Sequence, residues 1–148
     1  MLEVKDLTAY YNGALALNNV NLTVKDGEFV AVVGPNGAGK TILFKALLGL
    51  IPYTGKIMWA QKVRIGYVPQ NITVDDIPVS VKEFLSFERR VDVKDSLSPV
   101  RLDSNDVAGK TLGVLSGGQL RRVLIAWALT DRPNGLLFDE ATTGVDHD

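Results

Sequence analysis

Phe29-Val30-Ala31-Val32-Val33-Gly34-Pro35-Asn36-Gly37-Ala38-Gly39-Lys40-Thr41 is the stretch that decides the fold. Its first five residues are continuously apolar and rich in β-branched side chains, the composition of a strand covered on both faces. Gly34 to Thr41 then fits G-x-x-x-x-G-K-[ST] in full. Beyond it, Leu43, Ala46, Leu47 and Leu50 recur at helical spacing, with Gly49 near the end as a stop signal. A glycine-rich loop joining a buried strand to a helix is a cradle for polyphosphate. Glycines let the backbone through Gly34, Asn36, Gly37, Ala38 and Gly39 wrap tightly and turn its N–H groups inward. The helix N-terminus adds partial positive charge. Lys40 reaches the β- and γ-phosphates, and the Thr41 hydroxyl suits Mg²⁺.

Upstream, Leu2, Val4 and Leu7, then Leu17, Val20, Leu22 and Val24, form short apolar-polar mixtures broken by Asn12-Gly13 and Asp26-Gly27. Such dipeptides mark tight turns, which predicts an antiparallel β region before the loop. Downstream, residues 56–60 and 63–68 read as strands, the second ending at Pro69-Gln70. Ser80-Val81-Lys82-Glu83 has the form of a capping box opening a short helix. Residues 89–113 are polar and weakly patterned, read as helix and loop. Leu115-Ser116-Gly117-Gly118-Gln119 precedes a strong helix whose Leu120, Val123, Leu124, Trp127 and Ala128 share one face, until Asp131-Arg132-Pro133-Asn134-Gly135 breaks it. Leu136-Leu137-Phe138 reads as a short buried strand running into Asp139-Glu140.

Two further features carry chemistry. Carboxylates at the carboxyl end of a buried strand lie where open α/β sheets place ligands. Asp139 would hold Mg²⁺, and Glu140 would polarise an attacking water. At the second glycine motif, Ser116 caps the following helix while Gly117 and Gly118 bare its first N–H groups, a second anion site. Two anion sites on one small domain suggest that a second copy shares the nucleotide.

In this ordered set the chain resembles the ATP-binding-cassette (ABC) transporter family. Gly34 to Thr41 looks like its Walker A motif, Gln70 its Q-loop glutamine and Leu115 to Gln119 its LSGGQ signature. Leu136 to Glu140 resembles Walker B with the catalytic glutamate, and Thr143-Gly144-Val145-Asp146 the D-loop. Tyr11 stands where the family has an adenine-stacking aromatic. The resemblance implies an α/β fold: a P-loop NTPase core with an N-terminal antiparallel β region and a helical subdomain, incomplete at the C-terminus. As one domain over 1–148, it would place the β region and Walker A core in 1–70, the helical subdomain with the signature in 71–120, and Walker B with the D-loop in 121–148. It implies Mg-ATP hydrolysis with Glu140, Gln70 and Lys40 as the catalytic residues. Tyr11, the Walker A residues and Ser116 to Gln119 would bind nucleotide, and Thr41, Gln70 and Asp139 the metal. Two copies would pack head to tail, with the signature acting in trans. Gln70 would pass the nucleotide state to a transmembrane permease, from a cytoplasmic position peripheral to the inner face of the plasma membrane.

The composition fits that reading. The chain has 148 residues, 46% hydrophobic and 22% charged, with a formal net charge of -1. Nothing in that balance points to nucleic acid, and no nucleic-acid partner is expected. The absence of cysteine excludes disulfides and thiolate metal sites. No targeting segment or membrane-spanning run is visible, so a membrane role would come through a partner.

The chain also departs from the family pattern. The switch histidine lies beyond the D-loop in the family; His147 follows Asp146 directly and is not that residue. The strand carrying the switch histidine is expected between the Walker A and Walker B strands, so the chain reads as part of a longer domain. Ala141 replaces the usual proline, Asn134 and Gly135 shorten the apolar run before Asp139, and Trp127 stands where arginine is common. The stretches Ile65 to Gln70 and Gly144 to Asp146 look like zinc- or manganese-type importers, which implies a divalent metal as cargo. Two alternatives stand beside that reading: a nucleotide-binding fragment without turnover, and a soluble cassette protein with no role in transport.

Overall fold

A computed structural model of the chain describes residues 1–60, 62–70, 72, 74, 77–87 and 91–139. It contains two compact units, Met1–Val63 and residues 64–139.

The first unit is the expected antiparallel region. β1 (Leu2–Tyr11), β2 (Ala14–Val24) and β3 (Thr54–Trp59) form a sheet in the order β2-β1-β3. Asn12 and Gly13 both take positive φ, 51° and 79°, and close the β1–β2 hairpin with Tyr11 opposite Ala14. That is the primed turn whose twist matches the strands. Leu2 and Val4 are buried, as are Leu7 and Ala9. The change of phase between the two pairs is made by a register shift between Val4 and Leu7, with Asp6 at φ 52°. A bulge of this kind returns the next apolar residues to the inner face.

α1 (Lys40–Leu47) follows the glycine-rich loop and buries Ile42, Leu43, Ala46 and Leu47. Its end is closed by hydrogen bonds from the Gly49 N–H to the Ala46 carbonyl and from the Leu50 N–H to the Lys45 carbonyl, a Schellman arrangement. The Trp59 indole N–H on β3 donates to the Leu47 carbonyl at 3.2 Å. Leu50 lies past this cap and is 64% exposed, so it leaves the buried face that its spacing predicts.

Phe29–Val33 departs from expectation. No strand is assigned there, and Phe29 and Val33 are 100% and 87% exposed. The run has the composition of a central strand, but composition becomes a strand only where neighbours close its ladder. Neither sheet among the described residues includes it, and none of their strands carries a switch histidine.

The second unit joins a parallel pair to a cluster of helices. β4 (Ile65–Val68) and β5 (Gly135–Phe138) pair in register from Ile65–Gly135 to Val68–Phe138. Residues 91–114 hold α3 (Val93–Leu97), α4 (Ser104–Val107) and two 3-10 turns, and α2 (Val81–Leu85) precedes them. Asp92 and Asp103 cap α3 and α4 by accepting backbone N–H bonds. The capping box at α2 is complete: the Ser80 hydroxyl and N–H both donate to Glu83 Oε2, which holds the Glu83 carboxyl below its ordinary value. Val81, Leu85, Leu97, Val107 and Leu112 pack with Val123 and Ala126 of α5 (Gly117–Thr130). Trp127 stacks at a tilt on Phe84, ring centroids 5.5 Å apart, and so belongs to this packing.

α5 also lies on β4, where Leu124 and Ala128 pack with Val68. β5 is less covered than predicted. Leu136 and Phe138 are 37% and 40% exposed, because no third strand joins the pair among the described residues. At Gly66 the helix and strand backbones touch: a Cβ there would lie 2.6 Å from the Ala128 carbonyl oxygen and 2.7 Å from Leu136 Cδ1. Gly66→Ala is therefore expected to lower the stability of this unit by about 2 kcal/mol, since overpacking against a helix backbone cannot be relieved by a rotamer change. Urea unfolding in a Trp59→Phe background, followed by the fluorescence of Trp127, checks it.

Candidate nucleotide site

Within the first unit, the loop from Gly34 to Gly39 lies on the surface and feeds directly into α1. Gly39 is the N-cap, at φ 89°. A Cβ there would stand 2.7 Å from the Ala16 carbonyl oxygen and 3.2 Å from Leu17 Cδ2, so β2 leaves room only for glycine. No side chain caps the helix, so its first N–H groups face outward as an anion site. The Lys40 ammonium donates to the Gly34 carbonyl at 2.7 Å and to the Pro35 carbonyl at 2.8 Å, drawing the loop closed. An ammonium has three donors, so one remains for a phosphate. Tyr11 ends β1 at the hairpin, 41% exposed, with Lys45 Nζ of α1 5.2 Å from its ring centroid. The sheet and α1 thus gather the phosphate loop and the aromatic in one unit.

In the second unit, Gln70 and Asp139 follow the carboxyl ends of the paired strands β4 and β5. The Asp139 N–H donates to the Val68 carbonyl at 2.9 Å. Asp139 is 5% exposed, the one charged side chain among the described residues that is so buried. Its Oδ2 accepts from the Tyr67 hydroxyl at 3.4 Å. Burial first, then the Asp139 charge and this bond, push the Tyr67 phenol above its ordinary value. A carboxylate, a hydroxyl and an amide oxygen are the hard donors that Mg²⁺ takes, so Asp139, Thr41 and Gln70 suit that ion in kind. Among the described residues no group of three or more His, Cys, Asp or Glu side chains is placed to hold a metal ion.

The signature opens α5 as a capping box. Ser116 Oγ accepts from the Gln119 N–H, and Gln119 Oε1 accepts from the Ser116 N–H. Ala128 lies over Gly66 and Leu124 beside Val68, so α5 runs antiparallel to β4. Its N-terminal end therefore extends toward the end of the sheet that carries Gln70 and Asp139. Glu140, the D-loop Thr143 to Asp146 and His147 lie outside the described residues.

Sequence reading missed Tyr67 as more than a strand residue. It also missed Asn134, whose Oδ1 accepts the Arg64 N–H at 2.8 Å and whose own N–H donates to the Arg64 carbonyl at 3.0 Å. The two strands are thus joined where they begin, which explains a polar residue ahead of β5. An isolated Asn at a strand start gives no signal for this without its partner.

A family profile described as ABC transporter matches residues 17–143. The zinc import ATP-binding protein ZnuC of Jannaschia sp. (strain CCS1) is 41% identical over 99% of this chain, and that of Pasteurella multocida (strain Pm70) is 40% identical over 99%. The chain spans only 61% and 57% of those two proteins' lengths. Among solved structures, the dimeric post-hydrolysis state of the ATP-binding cassette MJ0796 bound to ADP and Pi superposes with a TM-score of 0.80. It is 27% identical, over 99% of this chain and 77% of its own. CbiO1 from Clostridium perfringens, part of the ABC transporter complex cbiONQ, gives 0.71 at 29% identity, over 98% and 67%. These matches run through every motif from the phosphate loop to Asp139, and with that loop at the head of α1 they establish the α/β P-loop class: the chain belongs to the ABC transporter family.

Proposed function

We propose that the two units are lobes of one ATP-binding domain, 1–148, within the ATPase subunit of an importer for a divalent metal ion, zinc first. The observation that carries the reading is the uncapped start of α1, with Gly39 at positive φ and Lys40 closing the loop. The zinc import relatives at 40% and 41% identity support the choice of cargo. ATP is the substrate. Tyr11 stacks on the adenine; Gly34, Asn36, Gly37, Ala38, Gly39, Lys40 and Thr41 hold the phosphates. Thr41, Asp139 and Gln70 would hold Mg²⁺, which when bound would offset the charge of the phosphates. Glu140 takes a proton from the attacking water. Ser116, Gly117, Gly118 and Gln119 complete the site of a second copy packed head to tail, a reading supported by the dimeric MJ0796 structure. Gln70 conveys the nucleotide state to a transmembrane permease, from the cytoplasmic side of the membrane. None of the helices among the described residues is long and apolar enough to cross one.

One observation favours a second reading. Among the described residues, Phe29 and Val33 are exposed and β4 and β5 pair with each other alone, which suits a cradle that binds nucleotide without turning it over. Phosphate release from ATP by the purified chain separates the two. The first reading expects release that needs Mg²⁺; the second expects none above a buffer control.

A further inference from the structure

We propose that Tyr67 is a positioning residue for the metal carboxylate: its hydroxyl holds Asp139 Oδ2, so that Mg²⁺ meets an oriented ligand. This rests on the reading of Asp139 as a metal ligand. Tyr67 is paired with Leu137 across the parallel register, and Asp139 stands two residues further along the same chain. Strand alternation therefore sets Tyr67, Leu137 and Asp139 on one face of the sheet. On that diagonal the phenol spans from β4 to the carboxylate just beyond β5, at 3.4 Å. The Asp139 main chain is already fixed by its bond to the Val68 carbonyl. The phenol adds a restraint on rotation of the carboxylate about that fixed main chain.

The bond is long for O–H···O, so it orients Asp139 without competing strongly for the oxygen. Partners of metal-bound carboxylates commonly contribute about 10- to 100-fold to metal affinity, and a bond of this length belongs at the low end.

The test uses the full chain and a fluorescent ATP analogue (mant-ATP), titrated first in EDTA and then with MgCl₂. Tyr67→Phe keeps the ring and removes only the hydroxyl. The expected result is unchanged affinity in EDTA, with about a tenfold rise in the Mg²⁺ needed for half-maximal tightening. Equal weakening with and without Mg²⁺ would mean a merely structural role and overturn the proposal. So would a Mg²⁺ dependence like the wild type in Tyr67→Phe while Asp139→Asn shifts it. If Asp139→Asn also leaves the Mg²⁺ dependence untouched, the assignment of Asp139 fails, and the role of Tyr67 falls with it.

Discussion

Lys40→Ala is expected to lower the affinity of the chain for Mg-ATP by about 100-fold. Two losses add. A charged donor to phosphate contributes about 1.5–3 kcal/mol per bond, and about 1.4 kcal/mol is a factor of ten. The ammonium also ties the loop together through the Gly34 and Pro35 carbonyls, so the variant must order the loop at the moment of binding. The fold should be unaffected, because Lys40 is at the head of α1 while Ile42, Leu43, Ala46 and Leu47 bury its face. Titration calorimetry with Mg-ATP, paired with a thermal melt, checks both halves of the expectation.

Glu140→Gln is expected to slow phosphate release by at least about 100-fold while leaving ATP affinity within about twofold of the wild type. An amide has no basic oxygen to take the proton of the attacking water, and general-base catalysis is commonly worth about 10² to 10⁴ in rate. The proposed phosphate contacts belong to a different segment, Gly34 to Thr41, so binding should persist. The two variants therefore fail in opposite ways: Lys40→Ala at binding, Glu140→Gln at turnover. Phosphate release under single-turnover conditions, alongside the binding titration, distinguishes them. Equal loss of binding in both would contradict the division of roles.

The local chemistry of the chain was legible where a few neighbouring residues determine it. Asn12-Gly13 implied its hairpin, and both residues take the positive φ that the turn needs. Ser80 with Glu83 read as a capping box, and each half of the box is bonded. Ser116 was read as a cap, though the return bond from Gln119 was not anticipated. Leu43, Ala46 and Leu47 gave the buried face of α1. Asp139 stands at a strand end, as its preceding apolar run implied.

What failed depended on partners distant in sequence. Phe29–Val33 has every local mark of a central strand, yet neither sheet among the described residues includes it. Leu136 and Phe138 looked buried for the same reason and are partly exposed. The bulge at Asp6 was hidden too, because the spacing of Leu2, Val4 and Leu7 reads as a broken pattern until β2 and β3 set the register. Tyr67 and Asn134 act across the β4–β5 pair, through contacts spanning 72 and 70 residues of sequence. The roles given to Tyr11 and Gln70 come from family resemblance rather than from any local pattern.

The claim beneath all of this is that the backbone from Gly34 to Thr41, with the Lys40 ammonium, forms a cup for polyphosphate. Titration of the purified chain with ATP and Mg²⁺ in a calorimeter tests it most directly. The account predicts saturable binding at one site per chain, displaced by inorganic tripolyphosphate. Absence of saturable heat would contradict it, as would binding that tripolyphosphate leaves undisturbed.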